Sequence, residues 1–201
     1  MIKLGLLGNN ISKSEMPNLI TKLGNEFGFD VKYELFDQAS KTNFNFKKFL
    51  SQIKEKNISG INVTYPFKEL ALEHSIKFSK ETKLVKSTNL ILINESMTSH
   101  NTDFIGFLNT YKFNFNKEPS KLVILGGGGV GKSVCFALLK LGVKELYIIE
   151  KDYIKLEKLI EDLKKQNEQV YSIKLGELIE NGQYKNGRPV GEHNGWYSSG
   201  G

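Results

Sequence analysis

The sequence predicts an α/β protein of two consecutive units, and three observations lead to this fold class. Short apolar runs alternate with segments of helical periodicity over most of the chain. Residues 122–125 form an uninterrupted apolar run, which is typical of a buried parallel strand, and a glycine-rich loop follows directly. Residues 112–120 are polar and contain one proline, so they are predicted to link the two units.

The first unit is predicted to mix short strands with amphipathic helices. Apolar or alternating runs predict strands at residues 2–7, 31–36, 61–64 and 89–93. Apolar residues spaced three and four apart predict three helix faces, made of Leu19, Ile20, Leu23 and Phe27, of Phe46, Phe49, Leu50 and Ile53, and of Phe104, Phe107, Leu108 and Tyr111. Pro66 is suited to the first turn of a further helix, because the N–H that it lacks is not needed there.

The second unit shows a β-α-β-α-β order. Strands are predicted at residues 122–125, 146–149 and 170–173. The two intervening helices are predicted from the apolar stripes of Val134, Ala137, Leu138 and Leu141 and of Leu156, Leu159, Ile160 and Leu163. This order implies right-handed crossovers and a parallel sheet. We expect domains at residues 1–104 and 105–175, followed by an irregular glycine-rich tail at residues 176–201.

Composition excludes several classes of protein. The chain has 201 residues, of which 39% are hydrophobic and 25% charged, as in an ordinary globular protein. No apolar run is long enough for a membrane span, and the first apolar run is too short for a signal peptide. With Cys135 as the single cysteine, no internal disulfide can form and a cytoplasmic location is expected. The net charge of +6 comes from lysines interspersed with acidic residues, so nucleic-acid binding is not favoured.

Two kinds of residue are predicted to have no chemical role. The histidines, His74, His100 and His193, lie far apart and have no metal-ligand spacing, so no metal site is predicted. Cys135 follows the glycine-rich loop on an apolar helix face, which favours core packing over a role as nucleophile.

The glycine-rich loop fits two phosphate-binding motifs. The pattern G-x-G-x-x-G is formed by Gly126, Gly128 and Gly131, and the pattern G-x-x-x-x-G-K-[ST] by Gly126, Gly131, Lys132 and Ser133. Both motifs follow a strand and begin a helix, whose N-terminal N–H groups attract an anionic phosphate. The loop alone leaves both motifs open.

The rest of the chain favours a dinucleotide over a nucleoside triphosphate. Only 69 residues follow Lys132 (201 − 132), too few for the remaining sheet of a P-loop NTPase. Glu150 lies 19 residues after Gly131, at the end of the next strand, where dinucleotide-binding folds place the acid that binds ribose hydroxyls. A P-loop NTPase remains the less favoured alternative. The predicted cofactor-binding residues are Gly126, Gly127, Gly128, Gly129, Val130, Gly131, Glu150 and Lys151.

Polar motifs in the first unit resemble those of the shikimate dehydrogenase family. The motifs are Ser12-Lys13-Ser14, Asn62-Val63-Thr64-x-Pro66-Phe67-Lys68, Asn89 and Asn101-Thr102-Asp103. Taken singly, each has an ordinary interpretation, such as a polar strand face, a solvated lysine or an N-cap at Asp103. Together, in this order over about residues 1–165 and before a glycine-rich loop, they resemble that family.

The resemblance implies a fold, a reaction and a set of site residues. It implies an N-terminal substrate-binding α/β domain followed by a Rossmann-like dinucleotide-binding domain, here incomplete. The implied reaction is the reversible, nicotinamide-dependent reduction of 3-dehydroshikimate to shikimate, on the route to chorismate and the aromatic amino acids. The carried-over residues are Lys68 and Asp103 for catalysis and Ser12, Ser14, Asn62, Thr64, Asn89 and Asp103 for substrate binding. A monomer or homodimer is expected, with no metal, nucleic acid or membrane partner.

Three departures from the family pattern leave alternatives open. The family's H-S-x-S-P is replaced by a shorter Asn10-Ile11-Ser12-Lys13-Ser14 stretch without the proline. The family favours NADP, whereas Glu150 favours NAD and Lys151 is suited to a phosphate, so both cofactors remain open, as does quinate as a substrate. The chain also ends earlier than family members, so we expect reduced stability and weak or no activity. A non-catalytic shikimate-binding module is therefore a further alternative.

Overall fold

The structure, a computed structural model, describes residues 1–39 and 43–173 and two short strands beyond them. The helices are α1 Met16–Glu26, α2 Phe46–Glu55, α3 Leu70–Glu73, α4 Lys80–Val85, α5 Thr102–Asn114, α6 Gly129–Lys140 and α7 Tyr153–Lys164. The strands are β1 Ile2–Gly8, β2 Val31–Asp37, β3 Gly60–Val63, β4 Lys77–Phe78, β5 Leu90–Ile93, β6 Met97–His100, β7 Lys121–Leu125, β8 Glu145–Ile149, β9 Val170–Ile173, β10 Tyr184–Lys185 and β11 Arg188–Pro189. The predicted α/β class is confirmed.

The first sheet has the strand order β2-β1-β3-β5-β6-β4. Strand β1 pairs in parallel with β2 and β3, so the carboxyl ends of these three strands lie at one edge. Strand β5 is antiparallel to both β3 and β6. Its first residue, Leu90, therefore lies opposite Asn62 near the end of β3 and opposite His100 at the end of β6. This register brings three polar segments to the same edge of the sheet: the one that follows β3, the one that precedes β5 and the one that follows β6.

The first hydrophobic core confirms the helix face predicted for α2. Phe46, Phe49, Leu50 and Ile53 are all buried against this sheet, and the Asn45 side chain caps the helix by accepting from the Lys48 N–H. Helix α1 is also present, but its apolar residues do not form a buried face. Leu19, Leu23 and Phe27 are exposed, and the buried position of this helix is Gly24.

The second sheet has the order β7-β8-β9 and is entirely parallel, as predicted. Its core combines buried residues of β8, α6 and α7, among them Leu138, Leu146, Ile148 and Leu163. Cys135 is part of this core, and burial raises the pKa of its thiol to about 12. The thiol therefore stays protonated at neutral pH, in agreement with the packing role predicted for it.

Several short elements differ from the sequence prediction. Strands β4 and β6 and helix α4 were not predicted, because segments such as Met97-Thr98-Ser99-His100 lack apolar alternation. Pro66 does not begin a helix: it follows a cis peptide bond from Tyr65, and α3 begins only at Leu70. Most of the tail expected at residues 176–201 lies outside the described residues. The part of it that is described is the antiparallel pair β10–β11.

The two sheets are joined by direct contacts. Phe104 of α5 and Val85 of α4 belong to the hydrophobic core of the second sheet. An ion pair of 2.7 Å between Lys86 Nζ and Asp162 Oδ1 links the end of α4 to α7. The boundary expected near residue 104 therefore falls within a helix, and the domain limits stay a prediction. In the described part of the chain, no helix is long and apolar enough to cross a membrane.

Candidate active site

A cavity of about 550 Å³ opens at the edge where β1 and β3 end. Six of the seven residues predicted for catalysis or substrate binding line it, namely Ser14, Asn62, Thr64, Lys68, Asn89 and Asp103. Asn10, Lys13 and Thr102 also line it and were not predicted. A cavity of this size with convergent polar groups suits a small polar ligand.

An ion pair lies at the centre of this lining. Lys68 Nζ is 2.5 Å from Asp103 Oδ2, and the two side chains are 12% and 23% exposed. The other carboxylate oxygen of Asp103 accepts from Asn89 Nδ2 at 2.8 Å. Asn89 is fixed in turn, because its Oδ1 accepts from the Thr102 N–H at 2.8 Å. The ammonium is therefore held in one position by groups that are themselves anchored.

The start of α5 explains how Asp103 reaches the cavity. Asn101 is the N-cap, and its Oδ1 accepts from the Phe104 N–H at 2.9 Å. The interpretation of Asp103 as an N-cap is therefore wrong: Asp103 lies in the first turn and faces Lys68. The Asn101 amide also donates to Ser87 O at 2.9 Å and to Ser133 Oγ at 3.0 Å, which connects this motif with the start of α6.

Asn62 is held by a residue that the sequence prediction missed. The Tyr33 hydroxyl on β2 donates to Asn62 Oδ1 at 2.9 Å, and burial raises the pKa of Tyr33. Tyr33 follows an ordinary strand pattern, so only the register of β2, β1 and β3 reveals this contact.

The serines of the first loop do not behave alike. Ser14 lines the cavity, and its Oγ accepts from the Met16 N–H at 3.3 Å. Ser12 is exposed and is not among the residues that line the cavity. The residue between them, Lys13, does line it. This loop therefore presents a cation that the sequence prediction did not include.

The glycine-rich loop follows β7 of the second sheet and packs against Lys68, although none of its residues lines the cavity. Gly126 has a φ of 94°, and a Cβ at Gly131 would lie 1.9 Å from the carbonyl oxygen of Gly126. These two positions make the tight turn into α6, which begins at Gly129. A Cβ at Gly129 would lie 2.8 Å from Lys68 Cδ, so the loop directly touches the stem of the central lysine.

Glu150 lies beside this loop with a fixed carboxylate. Its two oxygens accept from the Asp152 N–H at 3.1 Å and the Gly127 N–H at 2.8 Å, and these hydrogen bonds lower the pKa of Glu150. A glycine-lined helix start with an ionised acid at the end of the next strand fits a dinucleotide, with phosphates at the helix and ribose at the acid. The neighbouring Lys151 is exposed.

The side chains that a P-loop would use, Lys132 and Ser133, are both buried. Lys132 is 9% exposed, and burial lowers the pKa of its ammonium group. Ser133 Oγ donates to Gly129 O and accepts from Asn101. The alternative of a P-loop NTPase is therefore not supported. Within residues 1–39 and 43–173, no group of three metal-ligating side chains comes together.

Comparisons with known proteins find shikimate and quinate dehydrogenases among the similar proteins. Residues 6–91 match the family model for the shikimate dehydrogenase substrate binding domain. A shikimate dehydrogenase (NADP(+)) from Caldicellulosiruptor bescii is 30% identical over 167 residues, which cover 80% of this chain and 56% of that protein. The quinate dehydrogenase of Corynebacterium glutamicum, solved in complex with NAD, superposes with a TM-score of 0.77 at 26% identity and covers 90% of this chain. The shikimate 5-dehydrogenase of Thermus thermophilus, solved with shikimate, superposes with a TM-score of 0.71 at 26% identity and also covers 90% of this chain.

The similarity extends beyond the first sheet, but the chain does not span the full length of these relatives. The chain spans 56% of the length of the Caldicellulosiruptor bescii protein. It spans 66% of each of the two solved structures.

Proposed function

We propose that this chain is a member of the shikimate dehydrogenase family and catalyses the reversible nicotinamide-dependent reduction of 3-dehydroshikimate to shikimate. The observation that carries the proposal is the Lys68–Asp103 pair, which lines a small polar cavity and is touched by a dinucleotide-type glycine loop. Reduction of a ketone needs a proton donor at its oxygen and a hydride donor at its carbon, and this arrangement is suited to both.

Lys68 is proposed as the general acid of the reduction and the general base of the oxidation. Its ammonium donates a proton to the carbonyl oxygen as that oxygen becomes a hydroxyl, and takes the proton back in reverse. Asp103 accepts from the ammonium at 2.5 Å and so orients it toward the cavity. Asn89 keeps the carboxylate in place from the other side.

Substrate binding is assigned to the polar side chains of the cavity wall. Asn62, Thr64 and Asn89 are proposed to bind the ring hydroxyls, and Ser14 the carboxylate. Ser12 is kept in this set on the family resemblance alone, because it does not line the cavity. A wall of this kind disfavours analogues without hydroxyls, since its own polar groups would then be buried unpaired.

The cofactor is assigned to the glycine-rich loop and the end of β8. A bound nicotinamide dinucleotide supplies the hydride, or accepts it in the reverse direction. Residues 126–131 are proposed to hold its phosphates, and Glu150 the ribose hydroxyls, with Lys151 beside them. On this basis we propose residues 1–104 as the substrate domain and residues 105–175 as the cofactor domain.

Glu150 is expected to make the chain prefer NAD over NADP. A 2′-phosphate would meet an ionised carboxylate whose position is fixed by two backbone N–H groups. In Glu150→Gln the affinity ratio of NADH to NADPH is expected to fall by about tenfold. Fluorescence titration with each reduced cofactor measures both affinities without turnover. The control is Glu157→Gln, which removes the same charge from an exposed position on α7; an equal ratio in both variants would contradict the assignment.

The proposed reaction is tested with the 201-residue chain itself. Shikimate with NADP, and separately with NAD, is expected to raise the absorbance of reduced nicotinamide. Calorimetric titration with shikimate alone measures the substrate site independently. Binding of shikimate without turnover under any of these conditions would overturn the dehydrogenase and favour the non-catalytic module, and absence of both would overturn the substrate class.

A quinate/shikimate dehydrogenase that prefers NAD is the second candidate function. Glu150 favours it, and a quinate dehydrogenase solved with NAD is among the similar structures. Quinate in place of shikimate in the same absorbance assay distinguishes the two candidates.

A further inference from the structure

The loop between β1 and α1 is attached to the carboxylate at the end of the neighbouring strand. Asp37 is the last residue of β2 and lies opposite Gly8, the last residue of β1. Its Oδ1 accepts from the Asn10 N–H at 3.0 Å, and its Oδ2 accepts from the Ile11 N–H at 2.9 Å. Ala39 donates a third backbone N–H to Oδ1 at 3.0 Å. Two successive residues of the loop are thus bound to one side chain.

Only an ionised carboxylate satisfies this arrangement. The N–H of Ala39, with those of Ile11 and Asn10, lowers the pKa of Asp37, so the group is charged at neutral pH. An amide at this position would place an NH₂ group against one of the donors, because each oxygen already faces an N–H. Asn10 has a φ of 56°, a left-handed conformation that costs free energy for a residue with a side chain. The bonds to Asp37 hold the backbone in this conformation.

The attached loop contributes part of the wall of the cavity. Asn10, Ile11, Lys13 and Ser14 all line the cavity, whereas Asp37 does not. The Ser14 N–H donates to Ile11 O at 2.9 Å, so the position of Ile11 determines that of Ser14. Among the lining residues, Lys13 is the cation outside the Lys68–Asp103 pair. An anionic group of a ligand is therefore drawn to this wall.

We propose that Asp37 is a positioning residue that sets the loop at residues 9–15 in the shape that binds the carboxylate of the substrate. The Ser14 hydroxyl and the Lys13 ammonium make the contacts, and Asp37 acts through the backbone of Asn10 and Ile11. The identity of the ligand in this inference rests on the proposed function. The attachment of the loop to Asp37 is independent of that function.

The kinetic test compares Asp37→Asn with Glu34→Gln. Glu34 lies on the same strand and pairs with Lys56 at 2.8 Å, so its replacement removes the same charge without a bond to the loop. In Asp37→Asn the KM for shikimate is expected to rise about tenfold, as for the loss of charge-assisted hydrogen bonds, while kcat and the KM of the cofactor stay within about twofold. Glu34→Gln is expected to match the unsubstituted protein. An unchanged KM in Asp37→Asn would overturn the inference.

Amide hydrogen exchange tests the attachment without any substrate. In Asp37→Asn, exchange is expected to accelerate at residues 9–15 and to remain unchanged in β7–β9, which reports that the variant is folded. Unchanged exchange at Asn10 and Ile11 would overturn the attachment itself. Faster exchange there, in a protein that neither binds nor turns over shikimate, would overturn the proposed function and the role assigned to the loop while leaving the attachment in place. Failure of the attachment and failure of the proposed function therefore give different results.

Discussion

Replacement of Lys68 by alanine is expected to lower kcat for shikimate oxidation by about 10²- to 10⁴-fold, the range typical of losing a general acid or base. Lys68 Nζ is the proposed proton carrier, and its side chain is only 12% exposed. Water therefore has limited access to take its place. The loss should appear in kcat rather than in KM, because Asn62, Thr64 and Asn89, which are proposed to bind the ring hydroxyls, remain.

The measurement is initial-rate absorbance of reduced nicotinamide, combined with calorimetric binding of shikimate. Lys83→Ala is the matched control, since Lys83 is exposed on α4 and does not line the cavity. Shikimate is expected to bind to Lys68→Ala with an affinity within about tenfold of that of the unsubstituted protein, as substrate hydroxyl contacts persist. A kcat in Lys68→Ala equal to that of the control would exclude Lys68 as the proton carrier.

Replacement of Asn101 by alanine is expected to lower the free energy of unfolding by about 3 kcal/mol. About 1 kcal/mol of this is the lost N-cap of α5, and the rest comes from leaving buried polar groups unpaired. Asn101 is 1% exposed and makes three hydrogen bonds, to the Phe104 N–H, Ser87 O and Ser133 Oγ. Its removal therefore weakens both the start of α5 and the contact with α6.

Urea titration followed by far-ultraviolet circular dichroism measures this effect. The control is Asn114→Ala at the other end of α5, where an exposed amide donates to Thr110 O, and a change within about 0.5 kcal/mol is expected. Asn101→Asp retains the N-cap but cannot donate to Ser87 O and Ser133 Oγ. Its urea midpoint should therefore fall between those of Asn101→Ala and Asn114→Ala. Equal midpoints for Asn101→Ala and Asn114→Ala would show that neither the N-cap nor the inner hydrogen bonds of Asn101 add to stability.

The sequence predicted the elements with strong periodicity and missed those without it. The face of α2 and the parallel order of β7, β8 and β9 are confirmed, because apolar spacing reflects a buried surface directly. The same reasoning was misleading for α1, where Leu19 and Leu23 of the predicted face are exposed. A pattern shows that one face of a helix is apolar, but not whether another element covers that face.

Within the candidate site, motifs located the proposed catalytic and substrate-binding residues better than the residues that hold them in position. Lys68 and Asp103 meet as the family resemblance implied, since both flank strand ends on one edge of the sheet. Tyr33 and Asp37 could not be found in this way. Their contacts depend on the register of three strands and on the path of one loop, which no local spacing encodes.

Three glycines of the glycine-rich loop resist substitution for different physical reasons, and the difference affects which substitutions the chain can accept. The constraints at Gly126 and Gly131 come from the backbone of the loop itself and do not depend on any residue outside the loop. The constraint at Gly129 comes from Lys68, a residue 61 positions earlier in the other half of the chain. A larger residue at 129 becomes tolerable only where the side chain at 68 shortens or moves. Because the proposed reaction requires Lys68, a larger residue at 129 is expected to be rejected like one at 126 or 131, but for a reason that lies in another part of the chain.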